Sequence, residues 1–204
     1  IRAFQVLDNS ICVTSHYIYY GEYFPNFKRE SVNIFRSRDG LNWERIHSFP
    51  KHTIKHIHLI QYDPFFNRIW FSTGDNDMEC SIGFSDFDFS KIEIIGKGNQ
   101  NWRTLEILFE KDKIFWGTDS PDQQNKLISF NRFDGKTNVL SKLNGPIYNL
   151  KKISGGFLAI TAVEHGKGEY DNNARVWFCK NLSDPWSELL KYKKEWIPLI
   201  FGFG

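Results

Sequence analysis

The sequence predicts an all-β fold built from repeated antiparallel sheets of four short strands. Similar strand-like segments recur at intervals of roughly 40–50 residues, a spacing that is typical of repeat folds. They are residues 11–16 (ICVTSH), 69–75 (IWFSTGD), 114–119 (IFWGTD) and 157–162 (FLAITA). A second strand-like segment follows each one, at residues 32–36, 80–84, 126–130 and 175–178. Aromatic residues make up 17% of the chain, which favours a β-rich interior.

Each repeat is predicted to contain four strands, A to D, separated by turns. In the second repeat, strand A covers residues 56–62, B 68–73, C 80–85 and D 91–95. In the first repeat the same pattern places strand A at residues 3–7 and strand B at residues 11–16. Repeated four-stranded sheets around an axis form a β-propeller, and we number strand A as the innermost strand of each blade.

We predict one propeller domain over residues 1–204, with blades at 1–50, 51–98, 99–144 and 145–196 and the start of a further blade at 197–204. Four sheets do not close a ring comfortably, and an unpaired blade face needs a cover. We therefore expect a fragment of a six- or seven-bladed propeller, which remaining blades or a partner chain would complete.

Composition argues against several classes of function. The net charge is +2 with acidic and basic residues interspersed, so the sequence carries no electrostatic footprint for nucleic acid. No apolar run reaches the roughly 18 residues of a membrane span. Cys12, Cys80 and Cys179 lie in or beside predicted strands without a C-x-x-C motif, and we expect buried free thiols. These features do not determine the compartment; a secreted or cell-surface location is the one we favour.

Residues 37–43 (SRDGLNW) form the predicted turn between strands C and D of the first repeat, and Ser37 begins it. Asp39 can accept hydrogen bonds from backbone N–H groups of the turn. Gly40 permits a positive φ, and the ring of Trp43 can pack between neighbouring sheets. Degenerate versions occupy the same place in the other repeats, at residues 85–88, 131–135 and 181–186. We interpret Ser37, Asp39, Gly40 and Trp43 as structural residues.

This turn resembles the Asp-box, or BNR repeat, the S-x-D-G-x-x-W motif of sialidase-like propellers. A wider pattern resembles a family of uncharacterised Asp-box propeller proteins over essentially the whole chain. It consists of His56 and His58, residues 62–64, residues 72–75, Trp102, Arg103 and residues 116–121. The resemblance implies a propeller with carbohydrate connections. It does not imply sialidase activity, because the chain has no Arg-Ile-Pro segment, and the sialidase arginine triad and Tyr/Glu pair would have to lie in other blades.

Propeller topology predicts where a binding site lies. The Asp-box turn marks one end of the sheets, so the start of each strand A and the end of each strand B lie at the opposite end, which we call the mouth. Polar and titratable side chains that converge there make the default binding-site hypothesis. The candidates are His16, His56, His58, Asp75, Arg103, Asp119, Tyr148, Glu164 and His165.

These candidates divide by chemistry. The candidate catalytic groups are His58, Asp119 and Glu164, because titratable side chains in a cleft can serve as acid and base. The candidate ligand-binding residues are His16, His56, Asp75, Arg103, Tyr148 and His165. Arg103 could clamp a carboxylate bidentately. Its alternative role is an ion pair with Asp75 or Asp119 that only braces the channel.

His56 and His58 are predicted to point to the same side of strand A, because side chains alternate along a strand. They could ligate one divalent metal ion, with Asp75 or Glu164 as oxygen ligand. The spacing resembles the His-x-His strand with which propeller oligogalacturonate lyases hold a metal. Direct contact with a ligand and hydrogen bonding within a polar channel are the alternatives.

The leading hypothesis is a carbohydrate-related propeller that binds an anionic saccharide at the mouth. It could also cleave the saccharide, as a glycoside hydrolase-like or polysaccharide lyase-like enzyme. The alternative is a non-catalytic propeller that scaffolds a protein or cell-surface assembly. The aromatic-rich segment at residues 17–31, predicted as a long loop, could contact sugar rings or could pack against the blade.

Overall fold

The computed structural model describes residues 9–194, which form sixteen β-strands and no α-helix. Two single-turn 3₁₀ helices, Asp77–Glu79 and Gln100–Trp102, are the helical segments within that range. The strands build four separate antiparallel sheets of four, with strand order following the sequence in each. This is the predicted all-β architecture of four-stranded blades. The predicted strand at 3–7 and the start of a further blade at 197–204 lie outside the described residues.

The four sheets follow one another along the chain. The first contains β1 (Ile11–Val13), β2 (Ile18–Gly21), β3 (Val32–Ser37) and β4 (Trp43–Phe49). The second contains β5 (His56–Asp63), β6 (Arg68–Gly74), β7 (Ser81–Ser85) and β8 (Ile92–Lys97). The third contains β9 (Ile107–Phe109), β10 (Lys113–Gly117), β11 (Asn125–Asn131) and β12 (Thr137–Leu143). The fourth contains β13 (Ile147–Ile153), β14 (Gly156–Thr161), β15 (Asn173–Cys179) and β16 (Ser187–Lys193).

Hydrophobic side chains fill the space between consecutive sheets. Tyr19 and Ile60 belong to the cluster shared by the first and second sheets. Leu59 and Trp116 belong to the next cluster, between the second and third sheets. Leu59 and Ile60 are adjacent on β5 and therefore face opposite sides of the second sheet. A third cluster, which includes Leu150, joins the last two sheets. The alternating strand pattern thus stacks the sheets face to face as blades.

The first sheet corrects one prediction. Residues 11–13, predicted as part of strand B, form the first described strand of the sheet, and β2 lies inside the segment predicted as a loop. Tyr19 and Tyr20 are buried and pair with Arg36 and Phe35 of β3. Because these tyrosines are both aromatic and polar, the sequence pattern resembled an exposed loop rather than a buried strand. Residues 14–17 are therefore the turn between β1 and β2.

The turn at residues 37–43 is closed by its own side chains. Asp39 Oδ1 accepts hydrogen bonds from the backbone N–H groups of Leu41 and Asn42, both at 2.8 Å. Gly40 has a φ of 75°, in the region that glycine adopts most readily. The Trp43 indole N–H donates to the Gly40 carbonyl at 3.0 Å. The hydrogen bonds from Asn42 hold the pKa of Asp39 below its usual range.

None of the helical segments within residues 9–194 has the length and apolar character needed to cross a membrane. Cys12, Cys80 and Cys179 are buried free thiols, which confirms the prediction for them. Burial raises the pKa of Cys12 to about 11, so this thiol is protonated and unreactive at neutral pH.

Candidate functional site

A β-bulge places a histidine at the start of the second sheet. The pairing of β5 with β6 shifts register between Ile57 and Leu59, so that His58 is the extra residue. Bulges redirect a side chain and often occur beside functional sites. The same irregularity recurs in β13, where Tyr148 is the extra residue between Ile147 and Asn149. Both bulged residues were predicted as site residues from their positions at the start of strand A.

His56, His58 and Asp75 form a compact triangle of ligand atoms. The Nε2 atoms of His56 and His58 are 3.0 Å apart, and each lies 3.1 Å from Asp75 Oδ1. Both imidazoles are almost fully buried, and Asp75 follows the last residue of β6. Within the described residues, these three form the compact His/Cys/Asp/Glu group whose geometry could hold a metal ion.

Neighbouring side chains hold this triangle in place. Lys55 Nζ lies 2.5 Å from Asp75 Oδ2. His56 Nδ1 lies 3.3 Å from the backbone carbonyl of Phe24, and the ring of Tyr23 stacks on the His56 ring with centroids 4.0 Å apart. The segment between β2 and β3 therefore supplies one wall of the site through its backbone and one aromatic ring.

Position 74 suits a glycine, because the His58 ring occupies the space that a side chain would need. A Cβ at this position would lie 2.7 Å from His58 Cε1 and 3.1 Å from His58 Nε2. Contacts that short would displace the ring. Glu79 steadies the same segment, since its carboxylate accepts the Asp75 backbone N–H at 3.2 Å and pairs with Arg29. Neither Gly74 nor Glu79 was predicted, because their roles depend on contacts between separate segments.

Arg103 connects the triangle to Asp119. Its Nε donates to Asp119 Oδ2 at 3.2 Å, whereas its terminal nitrogens make longer contacts of 3.4 and 3.5 Å with Asp75. His58 Nδ1 faces Asp119 Oδ2 at 3.8 Å, which is too long for a hydrogen bond. His58 Nδ1 and Asp119 Oδ1 are buried atoms without a hydrogen-bond partner among the described residues.

Burial controls the protonation of this cluster. Burial raises the pKa of Asp119 to about 7, against the opposing effect of the Arg103 charge. Burial lowers the pKa of His58 to about 4, although its hydrogen bond to Asp75 acts in the other direction. For Asp75, burial is outweighed by the interactions of its carboxylate with His56 and His58, which hold the pKa of this carboxyl well below its usual range. Asp75 is therefore a carboxylate and His58 a neutral imidazole near pH 7.

A cleft of about 540 Å³ lies against this cluster. Its lining residues are Asp75, Asn76, Asp77, Gln100, Arg103, Ser120, Pro121, Asp122, Gln123 and Glu164. Tyr148 donates its hydroxyl to Glu164 Oε1 at 2.5 Å and so orients that carboxylate. Burial, followed by the Glu164 charge, raises the pKa of Tyr148. Asp119 and His58 do not line the cleft; they are 3% and 1% exposed and lie behind its wall.

Two predicted site residues lie away from the triangle. The prediction for His16 is wrong: it is exposed in the turn between β1 and β2, where Tyr17 accepts a hydrogen bond from Arg38 of the 37–43 turn. His16 is therefore at the end opposite the mouth, because the strand order of the first sheet differs from the prediction. His165 follows Glu164 in the loop after β14, where it is exposed and does not line the cleft.

Solved structures with a similar fold include β-propeller-type proteins. A chain of the nidogen/laminin complex matches with a TM-score of 0.61 and 13% identity, over 84% of this chain and 60% of that one. Exo-β-1,3-galactanase from Phanerochaete chrysosporium matches at 0.59 and 13%, over 93% and 50%. GH43B of the Bacteroides ovatus xyloglucan PUL matches at 0.55 and 13%, over 89% and 40%. The chain has a β-propeller fold.

These likenesses describe the fold alone, because the sequence identities are low. The chain spans 40% to 60% of the length of the three solved chains. No family model matches the sequence, and no curated protein matches it either.

Proposed function

We propose that the mouth binds a carbohydrate, and that its preferred ligand is an anionic saccharide. The observation that carries this proposal is the cleft of about 540 Å³, whose wall combines carboxylates and amides with one guanidinium. Asp75, Gln100 and Glu164 offer hydrogen-bond acceptors and donors of the kind that sugar hydroxyls require. Two of the structures with a similar fold are named as a galactanase and a xyloglucan-locus protein, which supports a carbohydrate connection.

Arg103 is the feature that favours an anionic ligand. Its Nε is engaged by Asp119, but its terminal nitrogens approach Asp75 only at 3.4 and 3.5 Å. Well-formed N–H···O hydrogen bonds are about 2.7–3.2 Å long. The guanidinium can therefore turn both terminal N–H groups to a carboxylate of the ligand while Nε keeps it in place.

A cleavage reaction would depend first on Glu164. It is the one predicted catalytic residue that lines the cleft, and Tyr148 orients its carboxylate. Asp119 and His58 lie behind the wall, so in this geometry they act through Arg103 and Asp75 as positioning residues. Product analysis of uronate oligosaccharides by mass spectrometry tests cleavage, and Glu164→Gln should abolish it without changing the fold.

Calorimetry with paired saccharides tests the binding proposal. Uronate and sialate oligosaccharides should bind, and neutral oligosaccharides of equal length should bind more weakly. Arg103→Lys should reduce affinity for the anionic ligands by about tenfold or more, since a lysine cannot make the bidentate contact. Arg38→Lys, at the opposite end of the first sheet, is the matched control. Equal binding of neutral and anionic ligands would refute the preferred class, and binding of neither would refute the site.

We also propose that the chain belongs with the Asp-box propellers. The turn at residues 37–43 supports this, because one aspartate and one glycine close it in the way the motif requires. The other sheets carry related turns, in which Asp86 accepts the Ser90 backbone N–H at 2.8 Å and Asn131 accepts the Phe133 backbone N–H at 2.8 Å.

A scaffold function is the second candidate, and one observation favours it. The fourth sheet exposes a row of apolar residues in register, in which Ile160 pairs with Val176 and Val176 with Leu190. Ile160 and Leu190 are 40% and 51% exposed, and Tyr192 on the same outer strand is 61% exposed. Remaining blades or a partner chain would cover this face. Light scattering of wild type and Leu190→Ser tests it: a scaffold should self-associate less in the variant.

A further inference from the structure

We propose that His56, His58 and Asp75 bind one divalent transition-metal ion at the base of the mouth. Two imidazoles and one carboxylate suit Zn²⁺, which takes nitrogen and oxygen ligands in tetrahedral sites. The proposal deepens the proposed function, because the ion would stand beside the same cleft. It can nevertheless be tested without any saccharide.

The hydrogen bonding of His56 leaves a free lone pair in the triangle. Its Nδ1 lies 3.3 Å from the Phe24 carbonyl oxygen, which can only accept a hydrogen bond. This contact is a hydrogen bond in the tautomer that carries its proton on Nδ1. In that tautomer, Nε2 of His56 presents a lone pair toward His58 and Asp75.

Without an ion, His58 cannot satisfy both of its ring nitrogens. If Nε2 carries the proton, it can donate to Asp75, but Nδ1 is then a buried acceptor without a donor among residues 9–194. If Nδ1 carries the proton, it points at Asp119. Three acceptor atoms, Nε2 of His56, Nε2 of His58 and Oδ1 of Asp75, then face one another at 3.0–3.1 Å. A cation among those three atoms resolves the second arrangement.

The dimensions of the triangle suit such an ion. Three corners separated by 3.0–3.1 Å can each lie at a zinc-ligand distance from a common point. With ligand distances of about 2.0–2.2 Å, that point is about 1 Å out of the plane of the triangle. Three protein ligands leave a position of the ion without a side chain, as in catalytic zinc sites. A saccharide carboxylate could occupy that position, because Asp75 belongs to both the triangle and the cleft.

The charged surroundings orient the ligands. Lys55 holds Asp75 Oδ2, so Oδ1 is the oxygen that faces the imidazoles. Asp119 stands behind His58 Nδ1, in the position of the carboxylate that orients many metal-bound histidines. Arg103 competes with the ion for Asp75 Oδ1, and its contact with that oxygen is long, at 3.5 Å. Binding of the ion is therefore expected to shorten the His58–Asp119 distance and lengthen the Arg103–Asp75 distance.

Zinc titration of the metal-stripped protein tests the proposal. Calorimetry should give one saturable Zn²⁺ site per chain, and bound Co²⁺ should give visible d–d absorption that reports its coordination. His58→Gln and Asp75→Asn should each weaken Zn²⁺ binding by about 100-fold or more, and Asp119→Asn by about 10–100-fold. His16→Ala, which removes an exposed histidine at the opposite end, is the matched control and should leave the Kd unchanged.

Several outcomes would overturn the proposal. They are the absence of saturable binding, binding that survives both His58→Gln and Asp75→Asn, and equal loss in the His16→Ala control. Circular dichroism establishes that each variant is folded; if His58→Gln is not, Asp75→Asn and Gly74→Ala decide the question. Saccharide binding that persists in EDTA with no zinc site would refute this inference alone. A zinc site without saccharide binding would refute the proposed function alone.

Discussion

Asp39 and Asp75 are two carboxylates with lowered pKa values at opposite ends of the molecule, and they are held in different ways. Asp39 takes its hydrogen bonds from Leu41 and Asn42, two and three residues further along one turn. Asp75 contacts His56 and His58 of β5, and Lys55 just before that strand. It also contacts Arg103, which precedes the third sheet. One aspartate closes a local turn, and the other joins separate segments.

This difference determines what each aspartate can do. The hydrogen-bond partners of Asp39 are backbone N–H groups and the side chains of Ser37 and Asn42, all within its own turn. The partners of Asp75 are titratable or cationic side chains beside a cleft, which can exchange one partner for another. The first arrangement fixes the shape of one turn, and the second leaves a carboxylate that a bound ion or ligand could contact.

The largest expected effect is on the free energy of unfolding when Asp75 or Asp39 is replaced by alanine. In the metal-free protein, Asp75→Ala should lower the free energy of unfolding by about 3 kcal/mol, because it leaves partly buried cationic groups unpaired. Asp39→Ala should lower it less, since only a surface turn is lost. Urea denaturation of both variants measures this. Equal losses would show that Asp75 is no more than another turn residue.

A glycine pair sharpens the comparison at the level of the backbone. Gly74→Ala should cost about 1–3 kcal/mol and displace the His58 ring, because the new Cβ would lie 2.7 Å from Cε1. Gly40→Ala should cost about 1–2 kcal/mol through its φ of 75° alone. Only Gly74→Ala should also weaken Zn²⁺ binding. If both variants bind Zn²⁺ like the wild type, the His58 ring is not held as we describe.

The two ends also differ in how well the sequence predicts them. The turn could be predicted because the hydrogen bonds that close it fall within seven consecutive residues, 37–43, and Asp39, Gly40 and Trp43 each have a local reason to be there. The four-stranded repeat could be predicted for the same reason, since turns and alternation are local. The mouth required topology, which brings His56, Asp75 and Arg103 together although they are far apart in the chain.

The predicted topology was wrong where a strand was misassigned, and the contacts of Lys55 and Gly74 could not be predicted. A shift of one strand position in the first sheet moved His16 to the wrong end. Lys55 and Gly74 carry no local sign of their roles, because a surface lysine and a strand-end glycine are common. Their importance depends on where Asp75 and His58 lie, to within a few tenths of an ångström.

The pH dependence of stability tests how protons are shared at the mouth of the metal-free protein. Unfolded Asp and His titrate near about 3.9 and 6.5, whereas folded Asp119 titrates at about 7 and His58 at about 4. Between about pH 4 and 6.5, folding binds a proton at Asp119 and releases a proton from His58. The two contributions to the pH dependence of stability therefore oppose each other. In the wild type, these two groups together should therefore change the free energy of unfolding little between about pH 4 and 6.5.

Single variants should separate the two contributions. In Asp119→Asn, His58 remains, the unfolded state binds more protons, and stability should rise with pH from about 4 to 6.5. In His58→Gln, Asp119 remains, the folded state binds more protons, and stability should fall as pH rises from about 4 to 7. Each slope is at most about 1.4 kcal/mol per pH unit. Slopes of the same sign in both variants, measured by urea denaturation across this range, would contradict the assignment.

The smallest effect is expected at Trp43, and it tests whether the two ends are independent. Trp43→Phe keeps an aromatic ring against Tyr20, whose centroid lies 6.5 Å away, but removes the indole N–H that bonds to the Gly40 carbonyl. The loss should be about 1 kcal/mol, the usual net value of one hydrogen bond. Tyr23→Phe, which preserves the stack on His56 at the mouth, is the matched variant. Thermal melting should report the Trp43 loss while calorimetry finds Zn²⁺ affinity unchanged. If Trp43→Phe weakens Zn²⁺ binding as well, strain at the turn reaches the mouth through the sheets, and the division between a structural end and a binding end fails.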